Sequence, residues 1–288
     1  MSWNITVEGG KTVRLPTKGK YCDRDIVITA EAGSEGGGDE LGAWLAGTYS
    51  SSVLDTPAIR DYVAYKVTFA NDVFLPEATS IGQHAFQYAT GGVFIAPKVT
   101  KIGTYAFADS KFTRIECPEC TTLNGQHAFK APSSGETLFA VSLPKVTTLA
   151  GYDFTGQRAL RTVNLNSVTT VYSQAFRYCA TLKILDLPSL EAIPGTFNFA
   201  NTKEDQSRGY PGMKALILRK EAVCTLANIN NFQNSDFADG IGFFYVPRAL
   251  VDSYKTATNW STYASQFRAL EDYTVDGTIT GALDESKI

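Results

Sequence analysis

Apolar and polar positions follow one phrase that recurs every 21–26 residues between about residues 70 and 200. It reads FLPEATSIGQHAF from Phe74, IAPKVTKIGTYAF from Ile95 and SLPKVTTLAGYDF from Ser142. The units align on Pro76, Pro97, Pro118, Pro144, Asn166 and Pro188. The residue just before this position is apolar or Cys in every unit, and so is the residue three before it, from Val73 to Leu185. Alternation with period two over so short a run predicts a strand with one buried face. The proline ends it, having no N–H to give to a ladder. Two residues on stands a second apolar column, Ala78, Val99, Cys120, Val146, Val168 and Leu190. Three more bring Ile81, Ile102, Leu123, Leu149, Val171 and Ile193, and each unit closes on an aromatic: Phe86, Phe107, Phe129, Phe154, Phe176, Phe199. The stretch before that aromatic reads as a single helical turn.

A period of this length marks a solenoid, whose units bury their apolar faces only against their neighbours. Strand, bend and helical turn in some 22 residues describe a leucine-rich-repeat coil, stacked as parallel strands about 4.8 Å apart. The recurring LP-x-V-T-x-I-G-x-x-A-F resembles the BspA-like (Treponema pallidum type) leucine-rich repeats of bacterial surface proteins and of phages. The resemblance covers roughly residues 44–246. It implies an extended recognition surface. Trp44 to Lys66 read as a degenerate first coil, with Ile59, Val63 and Ala64 where later coils have Ile, Ala and Phe. Leu216 to Leu218 read as a further strand, and Lys130–Ala140 and Asn201–Gly212 as inserted loops on one edge. Thr79, Thr100, Thr121, Thr147 and Thr169 repeat in one column, a row of hydroxyls able to bond to backbone or to one another.

The ends have another texture. Ile5, Val7 and Val13, Leu15 flank a turn at Glu8–Lys11, and Asp25–Thr29 makes a third strand, so residues 1–32 read as a small β anchoring module. This segment is similar to modules on proteins encoded in phages and prophages of Gram-positive gut bacteria. Gly10-Lys11-Thr12 ends like a phosphate-binding loop, but Ile5 stands where the first glycine belongs. Residues 33–40 form a Gly-rich linker, and the solenoid runs over 41–246. Leu250, Val251, Tyr254 and Ala257, then Trp260, Tyr263, Phe267 and Leu270, make two helical stripes, so 247–273 reads as a helical cap of the last coil. Residues 274–288 read as a loose tail.

Composition narrows the functional classes. A net charge of −3 over 288 residues gives no footprint for nucleic acid. No segment has the apolar length of a membrane span, and the start of the chain carries no signal-peptide pattern. Cys117 and Cys120 spell C-x-x-C, yet both fall in apolar columns, where free cysteine packs as a small hydrophobe. No second pair completes a zinc site. His84 and His127, the only histidines, share one column two coils apart, roughly 10 Å by strand spacing, too far to share a proton or a metal. Glu116 and Asp186 stand roughly 14 Å apart by the same spacing, beyond glycosidase separations. No catalytic residue, metal site or cofactor is expected.

Recognition is best sought on the outward strand positions, whose columns vary while the buried ones do not. The candidate ligand-binding residues are Phe74, Val93, Ile95, Glu116, Ser142, Asn164 and Asp186, with Phe74, Val93 and Ile95 forming an apolar patch. The expected function is non-enzymatic: a phage virion-associated protein, at a tail tip, fibre or head appendage, that binds a host surface protein or glycan or another virion protein. A bacterial cell-surface or secreted adhesin is the alternative, and an enzyme scaffolded on the solenoid the third reading. The N-terminal module is expected to anchor, with self-association through it a further option.

Overall fold

The structure, a computed structural model, describes residues 57–131 and 137–273, together with short strands at 12–15, 26–29, 48–49, 274–275 and 278–279. Within these residues the chain winds as a parallel β-solenoid. The first strands of successive coils pair in parallel within two sheets. One sheet joins Val73–Phe74, Val93–Ile95, Arg114–Glu116, Ala140–Ser142 and Thr162–Asn164. A second joins Ile184–Asp186, Ala215–Ile217, Phe243–Val246 and Phe267–Ala269. The register is rung for rung: Phe94 sits beside Ile115, and Ile115 beside Val141. A second row of shorter parallel strands runs from Ala58–Ile59 to Thr225–Leu226, with Ile59, Ile81 and Ile102 aligned.

The apolar columns are buried as their period requires. Val73, Phe94, Ile115 and Leu185 face inward from the first strand, and Ile81, Ile102 and Leu149 from the second. The closing phenylalanines form one continuous stack. From Phe86 through Phe107, Phe129, Phe154, Phe176 and Phe199 to Phe232, successive ring centroids lie 5.1–5.9 Å apart and their planes tilt by no more than 14°. Phe232 extends the column one coil beyond the six recognised in the sequence. These rings are fully buried, so each contributes its whole apolar area to the core, plus offset-stacking energy.

The predicted helical turn before each aromatic does not form in the coils from His84 to Phe199. Those residues make tight turns, two of them in most coils, with a residue in the left-handed region. His84, Tyr105, His127, Tyr152, Gln174 and Phe197 all have φ between 53° and 66°. A left-handed residue ends a right-handed helix at once. Among the described residues only the coil of Phe232 has a 3-10 turn at this place, Ile229–Phe232. The residue before the aromatic is alanine in four coils but Asp153, Asn198 and Asn231 in three, and all three are fully buried. Their side-chain oxygens accept backbone N–H groups of the preceding coil: Asp153 Oδ1 from Ala128 at 3.2 Å, Asn198 Oδ1 from Ala175 at 3.1 Å, Asn231 Oδ1 from Asn198 at 3.2 Å.

The threonine column is a ladder to the backbone rather than between hydroxyls. Thr100 Oγ1 donates to the Thr79 carbonyl at 3.2 Å, Thr121 to Thr100 at 3.3 Å and Thr169 to Thr147 at 3.1 Å. Glu191 interrupts it, and Thr225, one position on, donates to the Glu191 carbonyl. Cys117 and Cys120 are buried free thiols in the core columns, and burial raises both, Cys120 to about 11. Cys179 and Cys224 are likewise buried and free; Cys22 lies outside the described residues.

The cap departs from the expected helix pair. A short α-helix, Val251–Thr256, forms as the first stripe predicts. The second stripe is a kinked 3-10 segment, Trp260–Gln266, followed by a strand, Phe267–Ala269, that pairs in parallel with Phe244–Val246. Phe267 aligns with Phe244 and stacks on it at 5.2 Å, so the cap supplies one more rung. At the other end Thr12–Leu15 pairs antiparallel with Ile26–Thr29. The turn at residues 8–11, the linker at 33–40 and most of 274–288 lie outside the described residues.

Candidate interaction face

The outward positions of the first strands make a continuous row across the rungs. Phe74 pairs with Ile95, Ile95 with Glu116, Glu116 with Ser142, and Ser142 with Asn164. Asp186 continues the row in the second sheet and is followed by Ile217 and Tyr245. Five of the seven candidate residues thus share one sheet in one row. Val93 lies beside Arg114 in the neighbouring outward row, and Asp186 belongs to the second sheet.

Three chemical zones follow along this face. At the N-terminal end Phe74 is 53% exposed, with Val93 and Ile95 half-buried beside it. Asp72 Oδ1 accepts the Val93 N–H at 2.7 Å, which satisfies the backbone at the rim of this patch. In the middle a trough of about 440 Å³ is lined by Arg114, Glu116, Ala140, Ser142, Thr162 and Asn164, among others. Arg114 and Glu116 form an ion pair across its edge. Asn164 Nδ2 reaches Ser142 Oγ at 3.4 Å, and Asn164 Oδ1 has no hydrogen-bond partner. Farther on, Arg219 binds Asp186 through Nε and Nη2 at 2.7–3.1 Å.

The far end of the same face is apolar and covered. Ala215, Ile217 and Tyr245 point outward like Phe74, yet they are buried in a small second cluster with Leu270, against which Tyr273 packs. Burial and the Tyr273 hydroxyl together push the Tyr245 phenol up to about 12. The sequence gives the outward columns only as far as Asp186 and a further strand at Leu216–Leu218, and it does not reveal the cover, because the Leu270–Tyr273 segment carries no repeat signature.

One arrangement on the turn edge was only half visible. His84 and His127 sit in a stack, Tyr62–His84–Tyr105–His127–Tyr152, with centroids 4.6–5.0 Å apart and planes within 10°. The two imidazoles are separated by the Tyr105 ring, so they neither share a proton nor converge on a metal. Partial burial, then Lys130, lowers the His127 pKa, with Asp109 opposing. Among the described residues no group of three or more His, Cys, Asp or Glu converges as metal ligands would, and no helix is long and apolar enough to cross a membrane.

Parallel coils of this length, one strand each on the outer face and a buried apolar ladder within, define a leucine-rich-repeat solenoid. The family model for the BspA type leucine rich repeat region matches six copies, over residues 58–183 and 135–206. These matches span just over half of the chain, and the protein belongs to that family. No curated protein matches the chain. The strand pattern continues past the matched residues to Phe267–Ala269.

Proposed function

We propose that the protein is a non-enzymatic recognition protein that binds a partner protein through the outer face of its first-strand sheet. Membership of a leucine-rich-repeat family points to a protein-binding or adhesin-like role. The observation that carries the choice of face is the contrast between its two ends. The outward apolar residues at the C-terminal end are buried by Leu270 and its neighbours, whereas Phe74 at the other end stands open beside Ile95. An exposed apolar patch bordered by a polar trough has the make-up of an interface, an apolar anchor with a polar rim.

In this reading Phe74, Val93 and Ile95 supply the apolar contact. Glu116, Ser142, Asn164 and Asp186 give it register through hydrogen bonds. The site is carried on a phage particle, with the N-terminal module as its mount, and the partner is a host surface protein or another virion protein. Replacing Phe74 and Ile95 by Asp should leave a folded solenoid that no longer attaches, because both side chains point away from the core. Attachment is read as retention of purified protein on host cells, and localisation of the native protein on particle or cell envelope separates the phage reading from a bacterial adhesin. Undiminished attachment of the double variant removes this face as the binding site.

A further inference from the structure

The insertion at 201–212 breaks the repeat, and it is held in one shape. Asp205 and Tyr210 exchange both backbone hydrogen bonds at 2.9 Å, and Ser207 Oγ donates to Asp205 Oδ1 at 2.6 Å. Below them lies Lys214, 7% exposed, between two carboxylates. Its ammonium bonds Glu204 Oε2 at 2.9 Å, and Asp236 Oδ2 lies at 3.0 Å, close for an ion pair but off the hydrogen-bond direction. Asp236 is fully buried and also accepts the Glu204 N–H at 3.2 Å. A Cβ on Gly212, at φ +75°, would come within 1.8 Å of Asp236 Oδ2, so the loop can close on this carboxylate only with glycine there. Burying Lys214 and Asp236, with Glu204 half-exposed beside them, to fix a surface loop is costly. Neither the stacking of the coils nor the Phe column requires it.

What the loop walls in is a second cleft of about 440 Å³, of the size of small-ligand sites. Tyr178, Asn201 and Asn234, stacked in successive coils, line it on the coil side. Asn234 Nδ2 donates to Asn201 Oδ1 at 2.9 Å. The Tyr178 ring is fixed by Arg177, whose guanidinium lies 4.8 Å from the ring centroid and whose Nη2 bonds the hydroxyl at 3.2 Å. Arg158 lines the cleft too, 5.9 Å from the same ring. Among the described residues it has no carboxylate partner, whereas Lys203 and Arg208 beside it are both paired. An unpaired guanidinium presents a fork for a planar or tetrahedral oxyanion. Side-chain amides and a fixed tyrosine offer the donors and acceptors that ring hydroxyls need.

We infer that this cleft binds an anionic saccharide, with Arg158 on the acidic group and Asn201, Asn234 and Tyr178 on the ring hydroxyls. The site is distinct from the outer sheet face, and its ligand is a small sugar rather than a protein. The acidic group is the carboxylate of a sialic or uronic acid or the phosphate of a sugar ester.

Titration calorimetry on the full chain tests it with N-acetylneuraminic acid, glucuronic acid, glucose 6-phosphate, neutral N-acetylglucosamine and inorganic phosphate. At least one acidic sugar should bind saturably and at least tenfold more tightly than the neutral sugar. The ranking of carboxylate against phosphate sugars then names the source of the anion. Arg158→Ala should weaken that binding at least tenfold. Arg158→Lys, which keeps charge and packing but not the fork, should weaken it several-fold. The Phe74→Asp, Ile95→Asp protein should bind the sugar unchanged, so failure here and failure of the outer-face reading are told apart. Absence of binding by every sugar at millimolar concentration, inorganic phosphate binding as tightly as the best sugar, or wild-type affinity in a folded Arg158→Ala protein would each overturn the inference.

Discussion

Asp153 shows how one position can set the pH response of the whole chain. It stands in a column that is otherwise Ala or Asn, fully buried. Burial pushes its carboxyl up to about 7 against backbone N–H groups of Ala128, Gly151 and Ala150 that pull it down. The native state therefore holds a proton that the unfolded chain releases near pH 3.9. The penalty is absent below about pH 4, grows as pH rises from there to about 7, and is complete above. Asp153→Asn, the residue the column already uses at 198 and 231, should remove it. We expect a gain of up to ~4 kcal/mol at pH 8 and almost none at pH 4, measured by urea unfolding at both values. An equal change at the two would show that the carboxyl is not the source. The column itself was legible, since it precedes each phenylalanine. Its polar members were hidden, because a buried Asp and an exposed one look alike in sequence.

At the scale of the element, the cap shows why a solenoid needs a dedicated end. The second row of strands ends at Thr225–Leu226 with no successor to bond its backbone groups, and cap side chains take that place. Trp260 Nε1 donates to the Cys224 carbonyl at 2.6 Å, Asn259 Nδ2 to Leu226 at 2.6 Å and Tyr263 Oη to Ile229 at 3.0 Å. Tyr254 Oη accepts from the Cys224 N–H at 2.8 Å. Trp260→Phe keeps the ring against Phe244 but leaves a buried carbonyl unpaired, which should cost about 1–3 kcal/mol. Thermal unfolding reads this, and no shift in Tm would mean that water replaces the indole. The cap was read as two helices because Trp260, Tyr263, Phe267 and Leu270 keep helical spacing. The hydrogen-bonding edge of Phe244–Val246 drew Phe267–Ala269 into a strand instead, a tertiary demand that outweighs local period. The left-handed turns were missed for a related reason. Their φ is positive at Tyr, His, Gln and Phe, where sequence gives no glycine to signal it. The insertion at 201–212 was legible only as an interruption.

For the molecule as a whole, coils touch only their neighbours, so stability is local and additive along the stack. Deleting residues 247–288 should strip amide protection from the Ala215–Ile217 and Phe243–Val246 strands while leaving Val93–Ile95 protected. Hydrogen exchange with mass detection measures this directly, and uniform loss across the chain would mean that the solenoid folds as one unit. The same arrangement sets how the protein would answer a pull. Hydrogen bonds between coils run along the stack, so tension between its ends opens them one ladder at a time instead of shearing many together. Each coil that lets go frees between 21 residues, as from Ile95 to Glu116, and 31, as from Asp186 to Ile217, roughly 70–110 Å of extended chain. Held at one end and loaded at the other, the protein would lengthen in successive low-force steps, a spring that lets out slack before its grip is broken.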